Sequence, residues 1–288
     1  MLWFKKIFDK SVYIRYFINI IKFNQAENVI EFKQNITANK AILLLHGMTG
    51  EPAELSYLGK YLHGIGFDVY VPELSGHCQG TEALKRTTWQ DWLNFSFNEY
   101  DRLKKEYDVV YVSGICLGAV LALCIAMERE DLDKIACLST TLFLDGWSIP
   151  KIIIILPVVL YTVIKFFYAW PESNSLGVRN EKVSAKVQKA LEKDDAKILD
   201  CFPAITILQM LRISRYTRKR LDRVKSKVLL IHSERDDIAS VKSADIVYKK
   251  ISSKLKDYIK LKKSYHLIVL DDEKDFVFKK TGDFFMGF

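Results

Sequence analysis

Gly114-Ile115-Cys116-Leu117-Gly118 sets a thiol between two glycines, directly after the apolar run VVYVS and directly before AVLALCIA. A chain that leaves a strand, turns sharply and enters a helix holds its central residue in a strained backbone, and small neighbours let strand and helix approach closely. A cysteine at that point is a candidate nucleophile, because a neighbouring histidine and a helix N-terminus both favour the thiolate. Two more side chains would complete the chemistry. Asp236 in HSERDDIAS, with Asp237 as its adjacent competitor, could orient a histidine. His266 in KKSYHLIVL could take the thiol proton. The reaction such a set supports is attack on an acyl carbonyl through a thioester acyl-enzyme, which suits esters, lactones and thioesters better than unactivated amides.

These residues can meet only if each sits at the end of its own strand. Strand-like runs fall at 41–45, 67–71, 109–113, 135–138, 228–231 and 258–261, with a weaker one at 29–32. Most are continuous apolar stretches without alternation, the pattern of parallel strands covered on both faces. Helical patterns lie between them: PAELSYLGKYLHGIG, which opens on Pro52 and closes on glycines, then WQDWLNFSFNEYDRLKKEY and SVKSADIVYKKI. Strand–helix alternation predicts a mostly parallel α/β sheet with helices on both faces. The alternation breaks at about 142–225, a stretch that reads as mostly helical. An inserted helical cap over the C-terminal edge of the sheet, where open α/β sheets bind ligands, is the economical reading.

Bulk properties narrow the field. At 288 residues the chain holds one large domain, and 43 basic against 35 acidic residues leave a net charge of +8. The basic clusters, including 212–223, come without zinc spacing, an RNA-binding aromatic signature or a phosphate-cradling glycine loop, so nucleic acid is not an expected partner. Neither a metal nor a cofactor is expected. Five cysteines with no CxxC pairing fit a reducing cytoplasm better than a disulfide framework, and Cys124 and Cys137 read as core residues. Residues 1–38 form a basic amphipathic segment that charges interrupt too often for a spanning helix. It reads either as an interfacial helix, with peripheral contact on the inner face of the membrane, or as a helix packed on its own domain. The apolar run 152–164 is short for a span and reads as a lid over the site.

The order Cys116, Asp236, His266 along the chain is that of the α/β-hydrolase fold. The sequence also resembles, from about Asn39 to Phe285, the bacterial carboxylesterase and monoacylglycerol-lipase branch of that superfamily, also described as serine aminopeptidase-like. LLLHGMTGEPAELSYLGKYLHGIGFDVYVPELSGHC, GICLG, RDDIASVKSADIVYKKI and SYHLIVLDDEKDFVF carry the resemblance. It implies Cys116 as nucleophile, Asp236 as acid and His266 as base, with the backbone amides of Met48 and Leu117 as the oxyanion hole. Three positions depart from the pattern: cysteine replaces the nucleophilic serine at 116, Cys78 replaces a glycine of the usual GHG loop, and Tyr265 stands where glycine commonly precedes the histidine. A cysteine nucleophile also resembles dienelactone hydrolases and polyhydroxyalkanoate synthases.

The expected architecture is therefore an α/β-hydrolase domain at 39–288 with a helical cap at about 142–225, preceded by the segment 1–38. The expected activity is hydrolysis of a small-molecule acyl ester or thioester. An acyltransferase and a catalytically inactive lipid- or protein-binding domain are the alternatives, and nothing in the sequence specifies an oligomer.

Overall fold

Continuous apolar strands need cover on both sides, and the sheet supplies it. A computed structural model describes residues 29–33, 39–48, 50–149, 169–170, 177–185 and 202–287. The basic segment up to residue 28, the apolar run 152–164 and Cys201 lie outside the described residues. Seven strands form one sheet: β1 (Val29–Phe32), β2 (Lys40–Leu45), β3 (Asp68–Pro72), β4 (Val109–Ile115), β5 (Lys134–Leu138), β6 (Lys227–Ser233) and β7 (Lys256–Leu261). Their order is β1-β3-β2-β4-β5-β6-β7. β1 runs antiparallel to β3, and all other pairs are parallel. The edge strand β1 lies inside the segment set apart as 1–38, so the sheet starts before residue 39.

The helices that flank the sheet are α1 (Ser56–Gly64), α2 (Thr81–Arg86), α3 (Trp89–Glu106), α4 (Leu117–Glu128), α5 (Ala204–Arg218), α6 (Lys242–Lys250) and α7 (Lys274–Met286). The two-residue period of the strands sorts their side chains. Leu43, Leu45, Val110 and Val112 join a core with Trp92 and Leu103 of α3, all of α4 from Leu117 to Met127, and Val247 of α6. Ile42, Leu44 and Val69 point the other way, into a core with Leu58 and Leu62 of α1 and Val277 and Phe285 of α7. The start of α3 is fixed by a capping box in which Thr88 and Asp91 satisfy each other's backbone amides.

Between β5 and β6 the chain leaves the sheet. Ala169–Trp170 pairs antiparallel with Phe202–Pro203, a short ladder that the helical reading of this stretch did not include. α5 then bridges two cores. Its Ala204, Ile207 and Leu208 pack with Leu144 and Ile149 in a satellite cluster, while Met210 and Ile213 enter the main core. The Thr217 hydroxyl lies 3.1 Å from the Cys124 sulfur on α4. The second half of α5, counted with the cap in the 142–225 boundary, thus packs on the flank of the sheet. Among the described residues no helix is long and apolar enough to cross a membrane.

Backbone meets backbone very closely where α4 leaves β4. A Cβ on Gly118 would meet the Leu45 carbonyl oxygen at 1.9 Å, and one on Gly114 would meet the Gly118 carbonyl carbon at 2.2 Å. Both obstacles are backbone and cannot rotate away. Gly118→Ala is therefore expected to lower stability by roughly 3 kcal/mol through overpacking, read as a shifted urea midpoint.

Candidate active site

At the end of β4 the backbone of Cys116 takes φ 56° and ψ −114°, a left-handed value that costs a side-chain-bearing residue energy. The strain is held by the two glycines and by the Cys116 amide, which donates to the Leu138 carbonyl at 3.0 Å. Leu117 is the first residue of α4, where amides have no partner within the helix. The elbow read from GICLG is present, with the thiol at its apex.

His266 lies in the loop after β7. Its Nδ1 is 2.9 and 2.8 Å from the two carboxylate oxygens of Asp236. Asp236 also accepts the Ile238 and Ala239 amides at 2.9 and 2.8 Å, and His232 Nε2 sits 3.2 Å from it. The other ring nitrogen, Nε2, makes no hydrogen bond of good geometry but faces the Cys116 sulfur closely enough to couple with it. Cys116, Asp236 and His266 are thus brought together and are nearly inaccessible to solvent.

The electrostatics follow from burial set against partners. Burial pushes the Cys116 thiol up, but the His266 imidazole, the Thr141 hydroxyl and the Met48 amide outweigh it and hold the thiol below its ordinary range. Burial pushes His266 down, yet the Asp236 carboxylate and the Cys116 sulfur raise it well above a free imidazole. For Asp236, burial is overcome by His266 and His232, which hold the carboxyl well below the usual range. The two core cysteines behave in the opposite way: burial raises Cys124 to about 12 and Cys137 further.

The loop after β2 is clamped at nearly every peptide. Gly47 donates its amide to Glu54 Oε2 at 3.1 Å, and its carbonyl accepts His46 Nδ1–H at 2.8 Å. His46 Nε2 in turn accepts the Leu74 amide at 3.0 Å, which fixes the tautomer. The Met48 carbonyl accepts from His77 Nε2 at 2.8 Å. With those groups committed, the Met48 amide is left to reach the Cys116 sulfur. Gly50 is required here, since a Cβ would lie 2.0 Å from Glu54 Oε2.

Glu54, His46, His77, His232 and Thr141 were not singled out by sequence reasoning as site residues. Glu54 carried one signal, an acid among the apolar positions of the helix that opens at Pro52. The rest contact the site through the fold alone. Asp237 corrects a second point. Only one of the paired acids was expected to face inward, but both are buried. Asp237 accepts the His266 backbone amide at 3.1 Å and the Gly177 amide at 3.2 Å, so it supports the histidine's loop while Asp236 holds its ring. Cys78 takes a glycine-like φ of 54°, a left-handed turn made without a glycine. Tyr265 packs edge-on against the exposed Trp147 at 5.4 Å. The described residues hold no cluster of His, Cys, Asp and Glu suited to a metal ion.

This architecture agrees with the comparisons. The family described as "Serine aminopeptidase, S33" matches residues 37–273. The chain belongs to this family. It is 26% identical over 246 residues to a thermostable monoacylglycerol lipase of Bacillus sp. (strain H-257), covering 85% of this chain and 89% of the relative. It is 27% identical over 248 residues to a carboxylesterase of Bacillus subtilis (strain 168), covering 85% and 92%. Among solved structures, a monoacylglycerol lipase of Paleococcus ferrophilus superposes with a TM-score of 0.73 at 18% identity, over 89% of this chain and 96% of that one. The shared fold is that of the α/β-hydrolases.

Two outcomes are expected of this geometry. At pH 6, iodoacetamide should label Cys116 faster than Cys124 or Cys137. His266→Ala should slow that labelling most, Asp236→Asn less and Asp237→Asn least, as followed by peptide mass spectrometry. The second concerns Glu54, which burial raises from 4.5 to about 7 against the Gly47 amide and His266. An acid raised on folding stabilises fully below its unfolded value, and that contribution is lost as pH rises through the folded value. Between about pH 4.5 and 7 the wild type should therefore lose up to roughly 3 kcal/mol relative to Glu54→Gln. Urea midpoints of both proteins at pH 5 and pH 8 measure it.

Proposed function

We propose that this protein hydrolyses carboxylic esters or thioesters of an apolar acyl chain through an acyl-Cys116 intermediate. The ester-hydrolase family is shared with the lipase and esterase relatives. The observation that carries the finer reading is the strained thiol of Cys116 facing both His266 and the Met48 amide.

In this reading the Cys116 proton moves to His266 Nε2, and Asp236 stabilises the resulting imidazolium through Nδ1–H. The thiolate attacks the acyl carbonyl carbon, and the electron pair displaced onto oxygen is held by the Met48 and Leu117 amides. Collapse expels the alcohol or thiol, which leaves with the proton from His266 Nε2. Water then gives a proton to the same nitrogen and attacks the thioester. The second tetrahedral intermediate releases the acid, and the proton returns to sulfur. The backbone strain at Cys116 keeps its side chain in reach of both partners, so no large movement is needed between the two halves.

The acyl substrate would be recognised by the apolar residues between β5 and β6, with Trp147 and Tyr265 at the rim. We further assign residues 1–23 and the run 152–170 to peripheral contact with an anionic membrane face in the cytoplasm, as the basic residues of the first and the aliphatic and aromatic residues of both support.

Cys116→Ala should lower kcat with p-nitrophenyl esters by roughly 10⁴-fold while leaving the urea midpoint near that of the wild type. Intact-protein mass spectrometry during wild-type turnover should show one added acyl group on Cys116, and free acid should outweigh acyl transferred to added glycerol. Undiminished activity in Cys116→Ala would remove the reading; transfer in excess of free acid would replace hydrolysis by acyl transfer.

A further inference from the structure

The basic cluster at 212–223 is not used by the acyl chemistry, yet it is not a plain solvated helix face. The C-terminal half of α5, the 3₁₀ turn Leu221–Arg223 and α6 enclose a cleft of about 610 Å³. Four cations line it, Arg215, Arg218, Lys219 and Lys250, against the single acid Asp222. None of the four joins an ion pair among the described residues, whereas the neighbouring Arg223 does, with Glu128 at 2.8 Å. The lining is charged where it is polar and otherwise apolar, with Phe143, Leu221 and Ile246 as its floor.

Arg218 is the centre of this arrangement. Its guanidinium lies 4.5 Å from the centroid of the Phe143 ring, and Lys242 sits 4.7 Å from the same ring. Two cations therefore share one aromatic residue. Arg218 Nε is buried with no hydrogen-bond partner. Burial and then the nearby Arg215 both act to lower its affinity for a proton. A buried donor without an acceptor is costly to retain, and an anion entering the cleft would relieve both the missing hydrogen bond and the repulsion.

We propose that this cleft is a binding site for a phosphate ester: a phosphate group held by Arg218 and Arg215, with Lys219 and Lys250 at the mouth and an apolar substituent against Leu221 and Ile246. Phosphate fits better than carboxylate because four cations exceed what one negative charge can balance, and a guanidinium fork matches two phosphate oxygens at once. The apolar floor favours an ester over the free ion. The site is separate from the acyl chemistry and does not depend on it. A physical link exists nevertheless. Phe143 lies two residues beyond Thr141, whose side chain neighbours the Cys116 sulfur, and the Leu142 and Phe143 amides share the Ser243 hydroxyl of α6 at 3.1 and 3.2 Å.

The test uses the full chain at constant ionic strength with three probes: inorganic phosphate, phenyl phosphate, and vesicles of phosphatidylcholine with or without phosphatidic acid. Calorimetry should give saturable binding of phenyl phosphate, tighter than that of inorganic phosphate. Arg215→Gln and Lys250→Gln alter exposed side chains and should fold normally, and each should weaken binding about threefold to tenfold. Arg218→Lys keeps the charge but loses the fork and should weaken it at least as much. Binding to phosphatidic acid vesicles but not to phenyl phosphate, lost in the same variants, would keep the site and assign its ligand to a lipid headgroup. Absence of saturable binding to all three probes at millimolar phosphate, or binding that none of these substitutions weakens, would overturn the proposal.

Discussion

The close approach of α4 to the end of β2 governs this molecule. Gly118 lies so near the Leu45 carbonyl that no side chain fits between them, and Gly114 closes against Gly118 in the same way. That approach lets the chain reverse within one residue, and the residue caught in the reversal is Cys116, with a left-handed backbone. The elbow brings together the parts that matter for chemistry. It points the thiol out of the sheet, starts a helix whose unpaired amides begin at Leu117, and sets the β2 loop with Met48 beside the sulfur. The packing of a mostly parallel sheet and a slim helix is thus the source of the site's geometry.

Around that elbow Asp236, Asp237, Glu54, His46 and His77 are held out of water, and each finds hydrogen-bond partners there. Asp236 is buried but receives two amides and two histidines. Asp237, its neighbour, holds the backbone of the loop whose ring Asp236 orients. On the opposite side, His46 and Glu54 take up the peptide groups of Gly47, and His77 the carbonyl of Met48. In a medium of low dielectric these contacts are strong, and leaving any one unmade would be costly. The result is a rigid cradle in which the thiol and the imidazole are the groups free to exchange a proton.

The rest of the chain divides into work at the top of the sheet and work on its flank. Between β5 and β6, the segment at 177–180 returns to the histidine loop, where Asp271 accepts the Arg179 and Asn180 amides and also that of Tyr265. α5 packs along α4 and carries its cationic end toward α6. Among the described residues this cationic cleft therefore lies apart from Cys116 and His266, and the short stretch 141–143 runs between the two.

The fold was legible in the sequence because its signals are local. Continuous apolar runs of strand length identify β2 to β6 wherever they sit, and the glycines of GICLG reveal the elbow because only glycine tolerates that approach. The order of Cys116, Asp236 and His266 could likewise be read, since each follows its own strand. Partners that depend on long-range contact could not. Glu54 clamps Gly47 from the next helix, Thr141 reaches Cys116 from the β5 loop, and Asp237 serves His266 across 29 positions. Nothing at those positions differs from an ordinary buried polar residue until the sheet order brings β2, β4, β5 and β6 side by side. The same holds for Arg218: along the chain it is one cation in a basic stretch, and only the packed structure sets it against Phe143 with its Nε buried and without a hydrogen bond. Sequence determined which elements form and where a nucleophile could stand; tertiary structure decided which polar groups tune it, because burial and proximity are properties of the packed sheet and not of any one segment.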